Sequence, residues 1–353
     1  MYLNQSLLSR VLLLSASFAL SGCDWIVMKP HGDIAQQQAQ LIVTSTLLMM
    51  IIIVPVIALT FVFAYRYRQS NTEATYAPDW DHSTRLELVI WGAPLLIIIA
   101  LGAITWISTH KLDPFRPLDR IAEGQPVAKG VKPLEVYAVS MDWKWLFIYP
   151  EQGVATINEL AAPVDRPIHF RFTSTTVMNT FYVPALAGMI YTMPGMETQL
   201  HAVINKAGVY DGLSAHYSGA GFSDMRFKFH GVSEEDFARW VASNKAGGNA
   251  LTRAEVIKLE QPSAREPIRR FASVESGLWS VIVDRCVDGK KMCASQMMAI
   301  DAAGGAGKGG VASTMRSAWR DADGKERERI VVAGLCTPTN LLGLPVEVET
   351  AKN

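Results

Sequence analysis

Two long apolar runs in the first third of the chain constrain its fold more than any other feature. Residues 41–65 carry no Asp, Glu, Lys or Arg, and residues 86–107 carry a single such residue, Glu87. A helix rises 1.5 Å per residue, so each run is long enough to cross the ~30 Å hydrocarbon core of a bilayer. The sequence therefore predicts a transmembrane hairpin of two helices, 41–65 and 86–107.

Arginines next to the first run set the orientation of this hairpin. Arg66 and Arg68 follow the run at once, and basic residues beside a span mark its cytoplasmic side. Residues 66–85 are polar and few, which predicts a cytoplasmic loop. The second helix then returns the chain to the periplasm through a proline-containing linker at 108–132. The rest of the chain is predicted to be periplasmic.

The N-terminus has the features of a bacterial lipoprotein signal. Arg10 precedes the apolar stretch Val11–Leu20, which ends in the tetrapeptide L-S-G-C. A small-residue tetrapeptide before a cysteine, at the end of such a stretch, resembles a lipobox. We expect residues 1–22 to be removed and Cys23 to be lipidated, with residues 23–40 as a periplasmic lead into the first helix. The alternative is that Cys23 is an ordinary buried cysteine.

Beyond the linker, apolar and polar residues alternate in short segments separated by glycine and proline. This alternation is typical of half-buried strands, and several such strands in succession indicate an all-β sandwich. We therefore predict a β-sandwich over residues 133–231. Trp143 and Trp145 lie two residues apart and share one face of a strand, as core residues or a subunit contact. The predicted strands are 134–140, 168–174, 199–205 and 225–229.

Four longer motifs in the sandwich region carry a family resemblance. They read D-W-K-W-L-F-I-Y-P-E-Q-G from Asp142, V-M-N-T-F-Y-V-P from Val177, M-I-Y-T-M-P-G-M from Met189 and Y-S-G-A-G-F-S-D-M from Tyr217. This region resembles subunit II of the cytochrome bo-type ubiquinol oxidases, and the match extends from about residue 20 to about residue 245. It implies a membrane-anchored α+β fold, in which the sandwich is cupredoxin-like.

The resemblance also implies a function and a set of partners. The family forms four-subunit complexes of the bacterial inner membrane that oxidise ubiquinol, reduce oxygen to water and pump protons. The haems and a copper belong to the large subunit, so no cofactor is expected in this chain. The expected partners are the haem-bearing large subunit, small membrane subunits and membrane lipid. The zero formal net charge gives no indication of a nucleic-acid partner.

The related cytochrome c oxidase subunits hold a dinuclear copper in a loop that reads G-x-C-x-E-x-C-G-x-x-H-x-x-M, together with an upstream histidine. Electron-transfer copper needs soft thiolate and imidazole ligands, whereas a serine hydroxyl is a hard and weak ligand. We interpret the loop of this chain as structural and without copper; the alternative is a poor copper site formed by three of its residues, Asn179, His216 and Met225. The positions that correspond to the copper ligands are Asn179, Ser214, His216, Ser218, Phe222 and Met225.

Glu87 is an ionisable residue just inside the cytoplasmic end of the second predicted helix. Such residues are costly in membrane segments and often functional. The structural alternative is that the carboxylate only stabilises the helix N-terminus through the helix dipole. Related subunits carry a glutamate here at the mouth of a proton channel in the large subunit. The resemblance therefore implies that Glu87 takes up protons from the cytoplasm.

Residues 232–353 form a C-terminal extension that we predict to be helical or irregular. The run S-E-E-D from Ser233 resembles a capping box, and it precedes apolar residues at helical spacing. This pattern predicts a short amphipathic helix that ends near Gly247. A second helix is predicted over residues 266–287. The apolar residues that mark the first helix are Phe237, Trp240 and Val241.

Three cysteines follow Cys23, and their use fits an oxidising compartment. Cys286 and Cys293 flank a short turn, so a local disulfide between them is one pairing. Either of them could instead pair with Cys336. No histidine lies near these cysteines in the sequence, which disfavours a metal site.

Three functions are consistent with these observations. The first is a copper-free subunit II of a ubiquinol oxidase that acts as a scaffold and contributes to proton uptake. The second is a copper-carrying cytochrome c oxidase subunit II, against which Ser214 and Ser218 argue. The third is a free, membrane-anchored lipoprotein with a periplasmic binding module.

Overall fold

The computed structural model describes residues 25–301 except 76 and 78, and beyond them the backbone of three strands at 315–320, 326–332 and 346–349. The predicted signal segment 1–22, the predicted lipidation site Cys23 and Cys336 lie outside the described residues.

Two long helices follow a single 3₁₀ turn at the N-terminal side. Helix α1 spans Asp33–Arg66 and helix α2 spans Thr84–Lys111. Both are long and apolar enough to cross a membrane, and they contain the runs 41–65 and 86–107. No residue of α2 is buried, as expected for a helix whose apolar surface faces lipid or a partner chain.

Helix α1 begins eight residues before the predicted span, because its first two turns belong to the periplasmic domain. Asp33, Ile34, Ala35 and Ala39 are buried, and Ile34 belongs to the core of the sandwich. Just before the helix, the carbonyl of Ala185 accepts hydrogen bonds from the backbone N–H groups of residues 31 and 32. The membrane anchor and the periplasmic domain are therefore joined through one continuous helix.

The periplasmic domain is a sandwich of a seven-stranded and a five-stranded sheet. Two short strands, β1 (Arg120–Ala122) and β2 (Gln125–Pro126), pair in the linker. The strands of the sandwich are β3 (Leu134–Met141), β4 (Lys144–Tyr149), β5 (Val154–Ile157), β6 (Glu159–Pro163), β7 (Ile168–Ser174), β8 (Asn179–Tyr182), β9 (Ile190–Thr192), β10 (Thr198–Ala202), β11 (Gly208–Ser214), β12 (Arg226–Val232), β13 (Asn249–Leu251) and β14 (Arg269–Val274). The seven-stranded sheet has the strand order β10-β7-β3-β4-β5-β14-β13, and the five-stranded sheet has the order β6-β12-β11-β8-β9.

The seven-stranded sheet is buried on both faces. Its inner face packs against the five-stranded sheet through an aromatic core that includes Trp145, Phe147 and Phe181. Its outer face carries a second apolar cluster, in which Leu146 and Ile148 contact residues of the C-terminal extension. All six residues of β4 are consequently buried. This explains why its sequence lacks the alternation that is visible in β3 and β7.

The C-terminal extension supplies the cover of this outer face. The amphipathic helix predicted from Ser233 is present as α3 (Glu234–Gly247), and the Ser233 hydroxyl accepts a hydrogen bond from the backbone N–H of Asp236 at 3.1 Å. The short helices α4 (Arg253–Leu259), α5 (Leu278–Val283) and α6 (Ala294–Ile300) follow. The last described strands, β15 (Met315–Arg320), β16 (Glu326–Val332) and β17 (Val346–Glu349), pair in order as a three-stranded sheet.

The prediction of one helix over residues 266–287 is wrong in its first half. Residues 269–274 form β14, which pairs antiparallel with β5 and parallel with β13. Only the second half contains a helix, α5. The open edge of β5 offers unpaired backbone groups, and pairing with them outweighs the weak local preference of this segment for a helix.

Candidate functional site

The loop that corresponds to the copper loop lies between β11 and β12, beside the start of β8. The Ser214 hydroxyl donates to Oδ1 of Asn179 at 3.2 Å, and the backbone N–H of Ser214 donates to the carbonyl of Met225 at 3.1 Å. Asn179, Ser214 and Met225 are buried. The fold therefore brings these three predicted positions together.

The remaining three positions are held by aromatic contacts. The carbonyl of Ser218 accepts a hydrogen bond of 2.9 Å from the indole N–H of Trp143. The ring of Phe222 lies 5.6 Å from that of Tyr217, and the ring of His216 lies 6.1 Å from that of Tyr191.

Trp143 packs directly against the backbone of the loop. A Cβ atom on Gly221 would lie 2.4 Å from the Trp143 ring, so only glycine allows this approach. Both tryptophans contact the aromatic core between the two sheets, but only Trp145 is fully buried. Sequence reasoning placed the two on one face and missed that Trp143 supports the loop.

The chemistry of these side chains does not fit a dinuclear copper centre. A hydroxyl and an amide meet where thiolate and imidazole ligands are required, and the Ser214 hydroxyl is already bonded to the amide. His216 is the one imidazole among the six positions, and Met225 is the one soft sulfur. A thioether and a single imidazole are a weak set for copper.

The predicted proton-uptake residue lies at the opposite end of the molecule, in the first turn of α2. Oε1 of Glu87 is 2.7 Å from Nδ1 of His82, and Nε2 of His82 is 3.1 Å from the Thr84 hydroxyl. Both the glutamate and the histidine are exposed, so the pair is open to water. The sequence indicated no role for His82 except that it directly precedes the N-cap residue of α2, Ser83.

A shallow groove of about 370 Å³ runs from Glu87 along one side of α2. Its lining residues recur at helical spacing, so they form one face of the helix. This face is open at Gly92, because a Cβ atom added there would meet no atom within 4 Å. The carboxylate therefore lies at the end of a continuous groove. The groove is lined by Thr84, Glu87, Leu88, Trp91, Gly92 and Leu95.

The extension after α5 contains a cysteine pair. Cys286 and Cys293 are joined by a disulfide in the structure, and the Asp284 carboxylate lies close to both sulfurs. A metal would need the free thiolates, so the disulfide-bonded group does not fit one. Asp284 instead accepts hydrogen bonds from the backbone N–H and the hydroxyl of Ser295, at 2.7 and 2.6 Å.

Comparison with known proteins places this architecture in a family. The sequence profile of the cytochrome c oxidase subunit II periplasmic domain matches residues 150–232, and that of the COX aromatic-rich motif matches residues 245–290. The second match covers part of the C-terminal extension that forms the outer layer of the sandwich.

Related proteins match a longer part of the chain than the two profiles do. The cytochrome bo(3) ubiquinol oxidase subunit 2 of Pseudomonas putida is 48% identical over 266 residues, which cover 75% of this chain and 82% of the relative. That of Pseudomonas aeruginosa is 49% identical over 274 residues, covering 78% and 80%. The ubiquinol oxidase subunit 2 of Acetobacter aceti is 46% identical over 293 residues, covering 82% and 93%.

Two membrane helices followed by this periplasmic domain define the class, the membrane-anchored subunit II proteins of respiratory oxidases. Within this class, the chain belongs to the ubiquinol oxidase subunit 2 family. The family resemblance and the fold predicted from the sequence are confirmed.

Proposed function

We propose that this chain is subunit 2 of a proton-pumping ubiquinol oxidase in the bacterial inner membrane, where it acts as a scaffold without a redox centre. The observation that carries the proposal is the loop between β11 and β12. Its sequence is aligned with that of a copper loop by the family resemblance, and two of the aligned ligand positions, Ser214 and Asn179, are joined by a hydroxyl–amide hydrogen bond. The relatives' names supply the substrate, ubiquinol.

The chemistry of the electron donor explains such a loop. A water-soluble cytochrome c delivers electrons outside the membrane, so its oxidase needs a metal relay in the periplasmic domain. Ubiquinol dissolves in the bilayer and can reach a haem subunit directly. The sandwich then serves as a scaffold on the large subunit. The positions that correspond to copper ligands can hold residues that form structural hydrogen bonds instead.

The test is purification of the affinity-tagged full chain from bacterial membranes. We expect a haem-bearing large subunit and smaller membrane subunits to co-purify, with oxygen consumption that depends on ubiquinol. Copper loading should add no near-infrared charge-transfer band beyond the haem spectrum. Purification of the chain alone would favour the free lipoprotein, and stoichiometric copper in the chain would favour the cytochrome c oxidase subunit.

We further propose that Glu87 collects protons on the cytoplasmic side for the large subunit, with His82 as its partner. The geometry supports this role, because the carboxylate contacts His82 at 2.7 Å and lies at the end of an open groove. Imidazole and carboxylate are the side-chain groups that most often transfer protons in enzymes. The pair therefore has the chemistry of a proton-collecting site.

The lipid anchor on Cys23 and the removal of residues 1–22 are also part of the proposal. They are supported by the L-S-G-C tetrapeptide after an apolar stretch. The described chain begins on the periplasmic side of α1, which is the side where a lipidated cysteine would lie. Intact-mass measurement of the purified chain tests both features, since diacylglycerol and acyl additions have defined masses.

A further inference from the structure

The two membrane helices leave a cleft between them at their periplasmic end. Its volume is about 360 Å³. The lining residues of each helix are spaced three and four apart, so they form two stripes that face each other across the gap. Helix α1 contributes Gln37, Gln40, Leu41 and Thr44, and helix α2 contributes Ile104, Ile107, Ser108 and Lys111.

The cleft is amphipathic along its length. Its deeper part is lined by Leu41, Ile104 and Ile107, and its mouth by Lys111 and Arg120. The mouth continues into a smaller cavity of about 110 Å³ beneath the linker. A polar chamber is thus joined to an apolar slot at the level where the membrane helix ends.

The positive charge at the mouth is only partly neutralised. Arg120 Nε donates to Oδ2 of Asp33 at 2.9 Å, and Gln37 donates to the same oxygen at 2.7 Å. Asp33 is 2% exposed, so its contact with Nε is made on the buried side of the guanidinium. Both Nη groups of Arg120 have no partner among the described residues. Within the same part of the chain, no carboxylate pairs with the exposed Lys111.

The acidic residues near the mouth are engaged elsewhere. Asp119 pairs with Arg116 at 2.9 Å, and Asp113 accepts a hydrogen bond from the backbone N–H of Phe115. The cationic groups available to a ligand are therefore Lys111 and the outer guanidinium nitrogens of Arg120.

We propose that this cleft binds one glycerophospholipid. The phosphate would accept hydrogen bonds from Lys111 and Arg120, and an acyl chain would lie against Leu41, Ile104 and Ile107. Basic pockets between transmembrane helices recognise phospholipid headgroups, and Lys111 closes the apolar part of α2, where headgroups begin. Asp33 is the positioning residue that holds the guanidinium toward the mouth.

The test uses the detergent-solubilised full chain in the complex with which it purifies. After delipidation, dioleoyl-phosphatidylglycerol is titrated in and bound molecules are counted by native mass spectrometry. We expect Lys111→Gln to weaken the occupancy of one lipid about fivefold, the effect of one basic residue near a headgroup. Lys129→Gln is the matched control, because Lys129 is an exposed linker lysine that does not line the cleft.

A second pair of variants tests the apolar slot. Ile104→Trp should fill the cleft and abolish binding of the same lipid, whereas Ile98→Trp adds the same ring to an exposed site of α2 outside it. Dioleoylglycerol, which lacks the phosphate, should bind poorly, and inorganic phosphate should not displace the phospholipid. Retention in both Lys111→Gln and Ile104→Trp would overturn the proposal. So would loss of the large subunit from Ile104→Trp with unchanged lipid counts, which would show that protein fills the cleft.

Discussion

At the residue scale, the pair formed by Glu87 and His82 is the geometric basis of the proposed proton uptake. The 2.7 Å contact joins a carboxylate and an imidazole. Neither side chain is buried, so neither is fixed by the fold for structural reasons. Substitutions here should therefore alter turnover while leaving stability nearly unchanged.

Replacing Glu87 by glutamine should slow ubiquinol-dependent oxygen reduction roughly tenfold, below the usual range for positioned proton-transfer groups because water and His82 can partly substitute. Oxygen consumption of the purified complex is the measurement. Glu73→Gln, in the loop between α1 and α2, is the matched control and should retain full activity. Equal activity in both variants would contradict the proton-uptake role. Glu87 would then only stabilise the N-terminus of α2 through the helix dipole.

The double variant tests whether His82 acts through Glu87. His82→Gln alone should cost less than Glu87→Gln, and the combined loss should be smaller than the product of the single losses, since coupled groups are not additive. Oxygen consumption is measured for the wild-type complex, the two single variants and the double variant, which together form a double-mutant cycle. Strict additivity would show that His82 does not act through Glu87.

A stacked histidine pair predicts how stability depends on pH. The rings of His169 and His201 lie 4.2 Å apart, and His169 is bonded to Glu135 and Gln199. Burial, and secondarily the charge of His169, lower the pKa of His201 to about 4. The folded state therefore disfavours protonation of His201. This contribution to stability is complete above the unfolded pKa of about 6.5 and is lost as the pH falls toward 4.

Thermal unfolding of the purified full chain between pH 7.5 and pH 4.5 tests this. The melting temperature should fall with acidification, and His201→Gln should flatten part of that slope. His216→Gln is the control, a half-exposed histidine in the loop between β11 and β12. Parallel slopes for wild type and His201→Gln would contradict the assignment.

At the scale of secondary-structure elements, the C-terminal extension acts as a third layer on the sandwich. Its helices α4 and α5 and its strands β13 and β14 cover apolar side chains on the outer face of the seven-stranded sheet. Lys144 ties this layer to the sheet. Its ammonium donates to the carbonyls of Leu259 and Gln261, at 2.9 and 2.8 Å, although the side chain is only 1% exposed.

Lys144→Met should destabilise the periplasmic domain by about 2–3 kcal/mol, since the buried carbonyl of Leu259 and the partly buried carbonyl of Gln261 lose their charged donor. Chemical denaturation of the purified chain measures this. Lys132→Met removes an exposed lysine, paired with Glu151 at the surface, and should have little effect. A loss similar to that of Lys132→Met would mean that water replaces the ammonium at α4.

At the scale of the whole molecule, helix α1 transmits the orientation of the membrane anchor to the periplasmic domain. Its first turns lie in the sandwich core and its later turns carry exposed apolar side chains suited to lipid. No flexible hinge separates the two parts on this side. The loop between β11 and β12 and the pair His82–Glu87 are therefore held at opposite ends of one body.

This anchoring predicts that the proposed lipid on Cys23 is not required for membrane attachment. Cys23→Ser should abolish the lipid mass addition, yet the chain should stay in the membrane fraction, because two transmembrane helices bind more strongly than acyl chains. Fractionation with a carbonate wash is the measurement. Release of the variant into the soluble fraction would contradict the assignment of α1 and α2 as spans.

Several parts of this structure were predictable because the signal is local. Long apolar runs predicted both membrane helices, alternation predicted β3 and β7, and Ser233 predicted the start of α3. The family resemblance rested on contiguous motifs in the sandwich. Each of these signals depends on neighbours within one element, so one sequence is enough to read it.

Other features depended on contacts between distant segments. The strand β4 is buried on both faces because an extension more than a hundred residues later covers it. The segment 269–274 became a strand because β5 offered a free edge. Trp143 reached the carbonyl of Ser218 across 75 residues of sequence.

The membrane hairpin, the periplasmic sandwich and the replacement of copper-type ligands in the loop could all be predicted from the amino-acid sequence, because residue chemistry and periodicity act locally. The contacts that these residues make instead became visible only in the folded chain. Folding bonded Ser214 to Asn179, brought His82 to Glu87 and opened the cleft at Lys111 and Arg120. Hydrogen bonds and cavities depend on distances through space, and these distances are fixed only when all the layers pack together.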